Sequence, residues 1–154
     1  LKYDYWASFS SFIKNSDTKL HAKKPKCKHW ASYGIGSSKA GSSALLNTQQ
    51  GIISISLKIY ASEDRLAVFN LLHQNREEIE KEMGCDLEWD EKPDKKSSNV
   101  YARNPQMNPN DRDSWPKQHA WMLEHLEKFR KVFGERIRKL DLENWEPEEI
   151  EEAE

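Results

Sequence analysis

The chain has 154 residues, of which 36% are hydrophobic and 32% are charged, and it includes six tryptophans. This length and composition are typical of one soluble globular domain with a single core. The longest uncharged stretch, residues 40–57, is rich in serine and glycine, so it lacks the ~20 apolar residues of a membrane helix. We therefore expect no membrane span. A start at Leu1 without methionine or a leader predicts a fragment of a longer protein.

The net charge of −2 hides an uneven distribution of charge. Of the 26 acidic residues, eight lie in residues 141–154, which hold no basic residue, so residues 1–140 hold 18 acidic against 24 basic residues, a formal charge of +6. We expect residues 1–140 to form one domain and the acidic tail to be mobile. Asp17 alone opposes seven lysines between positions 14 and 39. These are Lys14, Lys19, Lys23, Lys24, Lys26, Lys28 and Lys39.

The first part of the chain predicts a helix followed by three strands. Apolar residues in 5–13 recur every three or four positions, as one face of a helix requires. The lysine-rich residues 19–28 have no such period and contain Pro25, which indicates an extended, solvated connection. A period of two then predicts strands over residues 29–35, through Ala44 and Leu46, and over residues 52–60, with a turn from Gly36 to Gly41.

The second part of the chain predicts a helix, a hairpin and a long helix. Residues 62–83 form the first helix, with Ser62 as its N-cap and Gly84 as its left-handed end. The segments "DLEWDE" and "SNVYAR" form the hairpin around the turn "KPDKKS". Residues 113–140 form the last helix, which Gly134 would bend or divide. The expected fold is α+β, an antiparallel sheet of about five strands with helices packed on one face.

Four blocks of the sequence carry a resemblance to a known family. They are "KPKCKHWASYGIG", "LLNT", "LEWDEKPDKKSS" and "WPKQHAWMLEHLEKFRKVF". In this order they resemble the bacterial and archaeal family named domain of unknown function 4268, from about Trp6 to Leu140. Members of that family often follow a nuclease region of the restriction-endonuclease type. The resemblance therefore implies a nuclease-like region in the same full-length chain.

The stretch "GIGSSKAG" raises the question of a phosphate-binding loop. It lacks the spacing G-x-x-x-x-G-K-[ST], and no predicted helix N-terminus follows Gly34-x-Gly36. Glycine is the ordinary residue of tight turns. We therefore expect a hairpin bend that Gly36 and Gly41 shape.

The lysine-rich connection is the stronger functional signal. Long cationic side chains on an accessible segment neutralise phosphates, and the nearby Trp30 and Tyr33 could stack on unpaired bases. The alternative is a solvated linker whose lysines keep the protein soluble. The candidate nucleic-acid-binding residues are Lys23, Lys24, Lys26, Lys28, Trp30 and Lys39.

A nuclease half-motif and a metal site are weaker candidates. Asp90, Glu91 and Lys92 match the acid-x-lysine half of the restriction-type nuclease motif, but a turn follows and a second acid is not identified. Structural zinc needs two close pairs of ligands, and Cys27 with His29 supply only one. We expect no metal, no cofactor and no catalytic residue in this chain. The two cysteines, which form no C-x-x-C pair, indicate a reducing, cytoplasmic setting.

His119 lies in the aromatic block of the last helix, on the same side as Trp115 and Met122. An acid one turn later would make a catalytic pair, but that position is Leu123. We therefore expect His119 to anchor its helix through one hydrogen bond to the sheet or a loop.

Three functions remain open on the sequence alone. The leading interpretation is a non-catalytic accessory domain of a nuclease-associated protein that contacts DNA or RNA through its lysine-rich surface. The alternative is a protein-interaction or dimerisation module that uses the acidic tail or an uncovered sheet face. A metal-dependent nuclease is the least supported.

Overall fold

The computed structural model describes residues 1–92 and 95–140 of the chain. In chain order its elements are α1 (Lys2–Lys14), β1 (Trp30–Gly34), β2 (Ala40–Asn47), β3 (Ile52–Ile59), α2 (Arg65–Gln74), α3 (Arg76–Met83), β4 (Glu88–Asp90), β5 (Ser98–Asn104), a 3₁₀ turn (Arg112–Ser114) and α4 (Trp115–Arg138). Among the described helices, none combines the length and the apolar content that crossing a membrane requires. The acidic tail, and Pro93 and Asp94 of the expected hairpin turn, lie outside the described residues.

The five strands form one antiparallel sheet in the order β1-β2-β3-β5-β4. The central strand β3 is the one with the clearest alternation, and its residues Ile53, Ile55 and Leu57 are fully buried. Strands β1 and β4 form the two edges of the sheet. The predicted α+β fold is therefore confirmed.

The helices cover one face of this sheet. Phe9 of α1 packs against Tyr33 of β1, and Phe133 of α4 packs against Trp89 of β4. Both strand residues lie on the face that carries Ile55, because their cross-strand partners are on that face. The expected packing of the helices on a single face is thus confirmed, and the apolar core lies between them and the sheet.

The helix predicted over residues 62–83 differs from the observed structure in two ways. Its first part begins at Arg65, three residues after Ser62, and the helix is divided at Asn75 into α2 and α3. The side-chain amide of Asn75 donates a hydrogen bond to the Leu71 carbonyl at 3.3 Å. Asn75 itself leaves the helical conformation, with a φ of −102° and a ψ of 19°, and the apolar spacing gives no signal of this change.

The start of α2 is tied to the hairpin of β4 and β5 through Arg65. The Arg65 guanidinium is buried and donates to the carbonyls of Glu91 and Lys92 at 3.2 Å and to Ser98 Oγ at 2.8 Å. Because a buried cation requires such partners, Arg65 fixes where the helix begins.

Gly36 and Gly41 of the β1–β2 hairpin lie in different structural elements. Gly36 lies in the turn with a φ of +81°, a left-handed conformation that favours glycine. Gly41, in contrast, is part of β2 and pairs with Gly34 and Lys58. The expectation that Gly41 shapes the turn was therefore wrong.

Helix α4 runs without interruption through Gly134, so the alternative that the helix is divided there was wrong. A Cβ atom added at Gly134 would lie only 2.3 Å from the backbone oxygen of Ile35, just beyond β1. The glycine therefore allows the helix backbone to approach the chain at the end of β1.

We predict that Gly134→Ala destabilises the domain. Alanine favours a helix by about 1 kcal/mol over glycine. However, the clash with the Ile35 carbonyl forces the helix from the sheet, and such overpacking costs typically about 1–3 kcal/mol or more. Less the gain in helix propensity, urea unfolding should show a net loss of up to about 2 kcal/mol, or more where the helix cannot move away. The matched control is Gly34→Ala, where a Cβ meets nothing within 4 Å and stability should change by less than about 0.5 kcal/mol. A more stable Gly134→Ala variant would contradict the close approach.

Candidate nucleic-acid interface

The lysine-rich connection between α1 and β1 is anchored to the core. It forms neither helix nor strand, as expected. Trp6 Nε1 donates to the Lys28 carbonyl at 2.7 Å, Ser10 Oγ donates to the Lys23 carbonyl, and Leu20 is buried in the core. Its lysines therefore project from a segment whose backbone is held by the core.

A groove of about 380 Å³ lies where this connection meets the edge strand β1. We call it the lysine groove. It is lined by Lys23, Lys24 and Lys26 of the connection and by Trp30 and Tyr33 of β1. Its volume is in the range of sites that hold small ligands or parts of larger ones.

The two aromatic residues of β1 point to opposite faces of the sheet. Trp30 is 40% exposed, and its cross-strand partner Leu45 lies on the face without helices. Tyr33 is 3% exposed and contacts Phe9 in the core, and burial raises the pKa of its hydroxyl. The expectation that Tyr33 stacks on bases was therefore wrong. Trp30 is the groove residue with an accessible ring.

The lysines of the groove have no acidic partners in the part of the chain that the structure describes. None of Lys23, Lys24 and Lys26 has a carboxylate oxygen within 4.0 Å among residues 1–92 and 95–140. The Lys23 ammonium lies 6.0 Å from the centre of the Tyr33 ring, at the limit of a cation–π contact. The positive charge of the groove is thus open to an external anion.

Lys28 and Lys39 are not part of the lysine groove. The Lys28 side chain is exposed, and its carbonyl accepts the Trp6 bond. Lys39 precedes β2 at the turn of the hairpin, and its ammonium is 3.1 Å from Asp64 Oδ2. That turn adjoins Gly34, which is about 13 Å along β1 from Trp30. Of the six predicted residues, the structure therefore brings together Lys23, Lys24, Lys26 and Trp30.

A second cavity, of about 740 Å³, lies beyond the other end of β1. We call it the arginine pocket, and its cationic residues are Lys19, Arg130, Lys131 and Arg138. The spacing of Arg130 and Arg138 indicates that they share one side of a helix. Their position beside Gly34 and Gly36 depends on tertiary packing, so it could not be predicted from the sequence.

His119 anchors α4 to α1, and not to the sheet or a loop as expected. Its Nε2 lies 3.0 Å from Ser8 Oγ, and its ring contacts Tyr5 and Phe9 at centroid distances of 4.8 and 5.3 Å. The residue is 2% exposed, and burial lowers its pKa to about 4. These surroundings indicate a packing role.

The nuclease half-motif has no second acid at the cross-strand position that faces Asp90. Asp90 is paired across β5 with Asn99, and its carboxylate lies 3.6 Å from the Lys92 ammonium. That ammonium also donates to the Tyr101 hydroxyl at 3.3 Å. Within residues 1–92 and 95–140 no three His, Cys, Asp or Glu side chains come together as metal ligands.

The fold and the groove define a class of protein, a small α+β domain with a basic groove along one edge of its sheet. The chain belongs to the family described as Domain of unknown function (DUF4268), whose model matches residues 1–137. This match confirms the resemblance. No curated protein and no solved structure matches the chain.

We predict a pH-dependent stability that comes from His119. Its pKa is about 4 in the folded domain and near the ordinary 6.5 in the unfolded chain, so the unfolded chain binds the proton more readily. Stability should be full above pH 6.5 and fall as the pH drops toward 4, with a loss of about 2 kcal/mol between pH 7 and 5.

Urea unfolding of wild type and His119→Phe at both pH values measures this contribution. Phenylalanine keeps a ring in the aromatic site and removes the titration, at the cost of the Ser8 bond. The loss of stability between pH 7 and 5 should therefore be smaller in the variant. An equal loss in both proteins would show that His119 is not the responsible group.

Proposed function

We propose that this domain binds single-stranded nucleic acid in the lysine groove, as an accessory domain of a nuclease-associated protein. The observation that carries the proposal is the exposed Trp30 ring beside three lysines that have no acidic partner among the described residues. Proteins that bind single strands combine these two features, a positive groove for the backbone and a ring for the bases.

The groove lysines and Trp30 suit different parts of a nucleic-acid strand because their side chains differ in chemistry. Lysine is a flexible point charge, so Lys23, Lys24 and Lys26 suit phosphates without fixing their orientation. Trp30 offers an accessible π-face, and only an unpaired base can leave its neighbours to stack on it. The anchoring of the connection by Trp6 and Ser10 reduces the entropy that binding would otherwise cost.

The association with a nuclease is supported by the family resemblance alone. The reading frame that encodes this chain tests it directly, because a restriction-type nuclease motif before Leu1 is the expected finding. A frame without such a region would remove the nuclease association and leave the nucleic-acid proposal to be judged by binding.

We predict that replacing the groove lysines weakens binding through charge. Lys23→Gln, Lys24→Gln and Lys26→Gln together should lower the affinity for an oligonucleotide roughly tenfold or more, and should reduce the salt slope by about 0.7 for each phosphate that is no longer neutralised. Fluorescence anisotropy with DNA and RNA strands at about 50 and 200 mM salt measures both effects.

The matched control removes the same charge elsewhere. Lys81, Lys95 and Lys96 are exposed residues outside the groove, and their replacement by glutamine changes the net charge equally. This control should retain most of the affinity. Equal losses of affinity in the two triple variants would show that binding depends only on net charge. An unchanged affinity in the groove variant would exclude the lysine groove as the binding site.

We predict that Trp30 sets the preference for single strands. Trp30→Ala should weaken single-strand binding by about 1–3 kcal/mol, because one base loses its stacking partner. Trp30→Phe keeps a ring and should retain most of the affinity. Duplex of the same sequence provides the comparison, and its weaker binding should change little in either variant. A loss that is equal for single strands and duplex would assign Trp30 a structural role.

A further inference from the structure

The arginine pocket lies between three parts of the chain. Residues 17–20 of the connection line one part of it, Ile35 follows β1, and Arg130, Lys131 and Arg138 belong to α4. The lysine groove is lined by the same connection and by β1, so the two cavities follow one another along this edge of the sheet. A ligand that runs along the edge would meet both.

Both arginines of the pocket are held against the backbone of the β1–β2 hairpin. Arg130 Nη1 donates to the Gly34 carbonyl at 3.2 Å. Arg138 Nη1 lies between two glycines, since it would be 3.0 Å from a Cβ at Gly36 and 3.6 Å from one at Gly134. A guanidinium has five N–H donors, so Arg130, which uses one on the Gly34 carbonyl, retains others for a ligand.

The cations of the pocket differ from three nearby cations, which are Lys128 and Arg136 of α4 and Lys139 directly after it. Arg136 is paired with Glu82 at 2.6 Å, Lys128 with Glu124 at 3.4 Å, and Lys139 with Glu135 at 2.7 Å. No carboxylate lies within 4.0 Å of the pocket cations of α4 among residues 1–92 and 95–140. These unpaired cations are Arg130, Lys131 and Arg138.

The pocket has a net positive charge although two carboxylates also line it. Asp17 and Glu127 stand against four cations, and neither forms an ion pair with them within 4.0 Å. An anion in the pocket would therefore meet more cations than it would meet carboxylates. A guanidinium pair recognises phosphate through planar, charge-assisted and often bidentate hydrogen bonds.

We propose that the arginine pocket binds a phosphate group of the nucleic acid, with Arg130 and Arg138 as the ligands that orient it. The nature of the polymer rests on the proposed function, whereas the phosphate site rests on the geometry of the pocket. The phosphate belongs either to the backbone or to the end of the strand. These two sources have the same chemistry, and they are distinguished by the design of the oligonucleotide.

The test measures binding of oligothymidines of about 12 nucleotides, within the usual site size of single-strand binders, that carry a 5′-hydroxyl, a 5′-phosphate or a 3′-phosphate. Arg130→Gln/Arg138→Gln should lower the affinity about tenfold relative to wild type, because the oriented hydrogen bonds to one phosphate are removed. An equal loss for all three strands indicates a backbone phosphate. A loss confined to one phosphorylated strand indicates a terminal phosphate.

The matched control is Arg136→Gln/Lys139→Gln, which removes the same charge from the last turn of α4 and from the residue after it, but at residues paired with acids. This control should lower the affinity by less than about twofold. If Arg130→Gln/Arg138→Gln does not fold, Lys131→Gln/Arg138→Gln replaces it in the same binding measurement, because both of its changed side chains are exposed. Losses no larger than those of the control would overturn the phosphate site.

A second probe separates failure of this inference from failure of the proposed function. If wild type binds none of the three strands, the nucleic-acid proposal fails. Titration with pyrophosphate then tests whether the pocket binds phosphate at all. Saturable shifts of the Nε–H resonances of Arg130 and Arg138 in ¹H–¹⁵N spectra, without shifts at Arg136, would support the phosphate site. Absence of those shifts would overturn it.

Discussion

The arginine pocket depends on one constraint, which is the close approach of α4 to the end of β1. At Gly134 the helix has no side chain between its backbone and the Ile35 carbonyl, and a single methyl group there would lie 2.3 Å from that oxygen. The same contact brings α4 over the sheet, where Phe129 and Phe133 are fully buried. It also sets the distance between the helix and the hairpin turn. The positions of Arg130 and Arg138 are therefore a consequence of core packing and not of the surface alone.

The second part of the site depends on the packing of α1. Tyr5 and Phe9 of this helix surround the His119 ring, and Tyr5 donates to Gln118 Oε1 at 3.0 Å. With α1 held in this way, Trp6 can fix the connection through the Lys28 carbonyl. A mutation in the seam between α1 and α4 would thus loosen the lysine groove without touching any lysine. Stability and binding should be measured together for such variants, because either could change alone.

The parts of the fold that follow from local patterns were predicted well. The alternation in residues 52–60 identified β3, and the period of two in residues 29–35 implies that Trp30 and Tyr33 lie on opposite faces of β1. The expectation that Tyr33 stacks on bases ignored that pattern. The division at Asn75 is a local change of backbone conformation and the role of Gly134 depends on a tertiary contact, and neither has a periodic signal. The sequence shows the cations of α4, but it does not show which acidic or backbone groups lie beside them.

The stretch "GIGSSKAG" illustrates how the proposed anion site would form without a phosphate-binding loop. In such a loop, backbone N–H groups and a helix N-terminus hold the phosphate. Here Gly34 offers a carbonyl to Arg130, and Gly36 leaves room for the Arg138 guanidinium. In the proposed site the donors are long side chains at the edge of a sheet, which suit the charge and the shape of a phosphate. If the domain binds nucleic acid as proposed, these donors and the ring of Trp30 would discriminate between single and double strands without reading a base sequence.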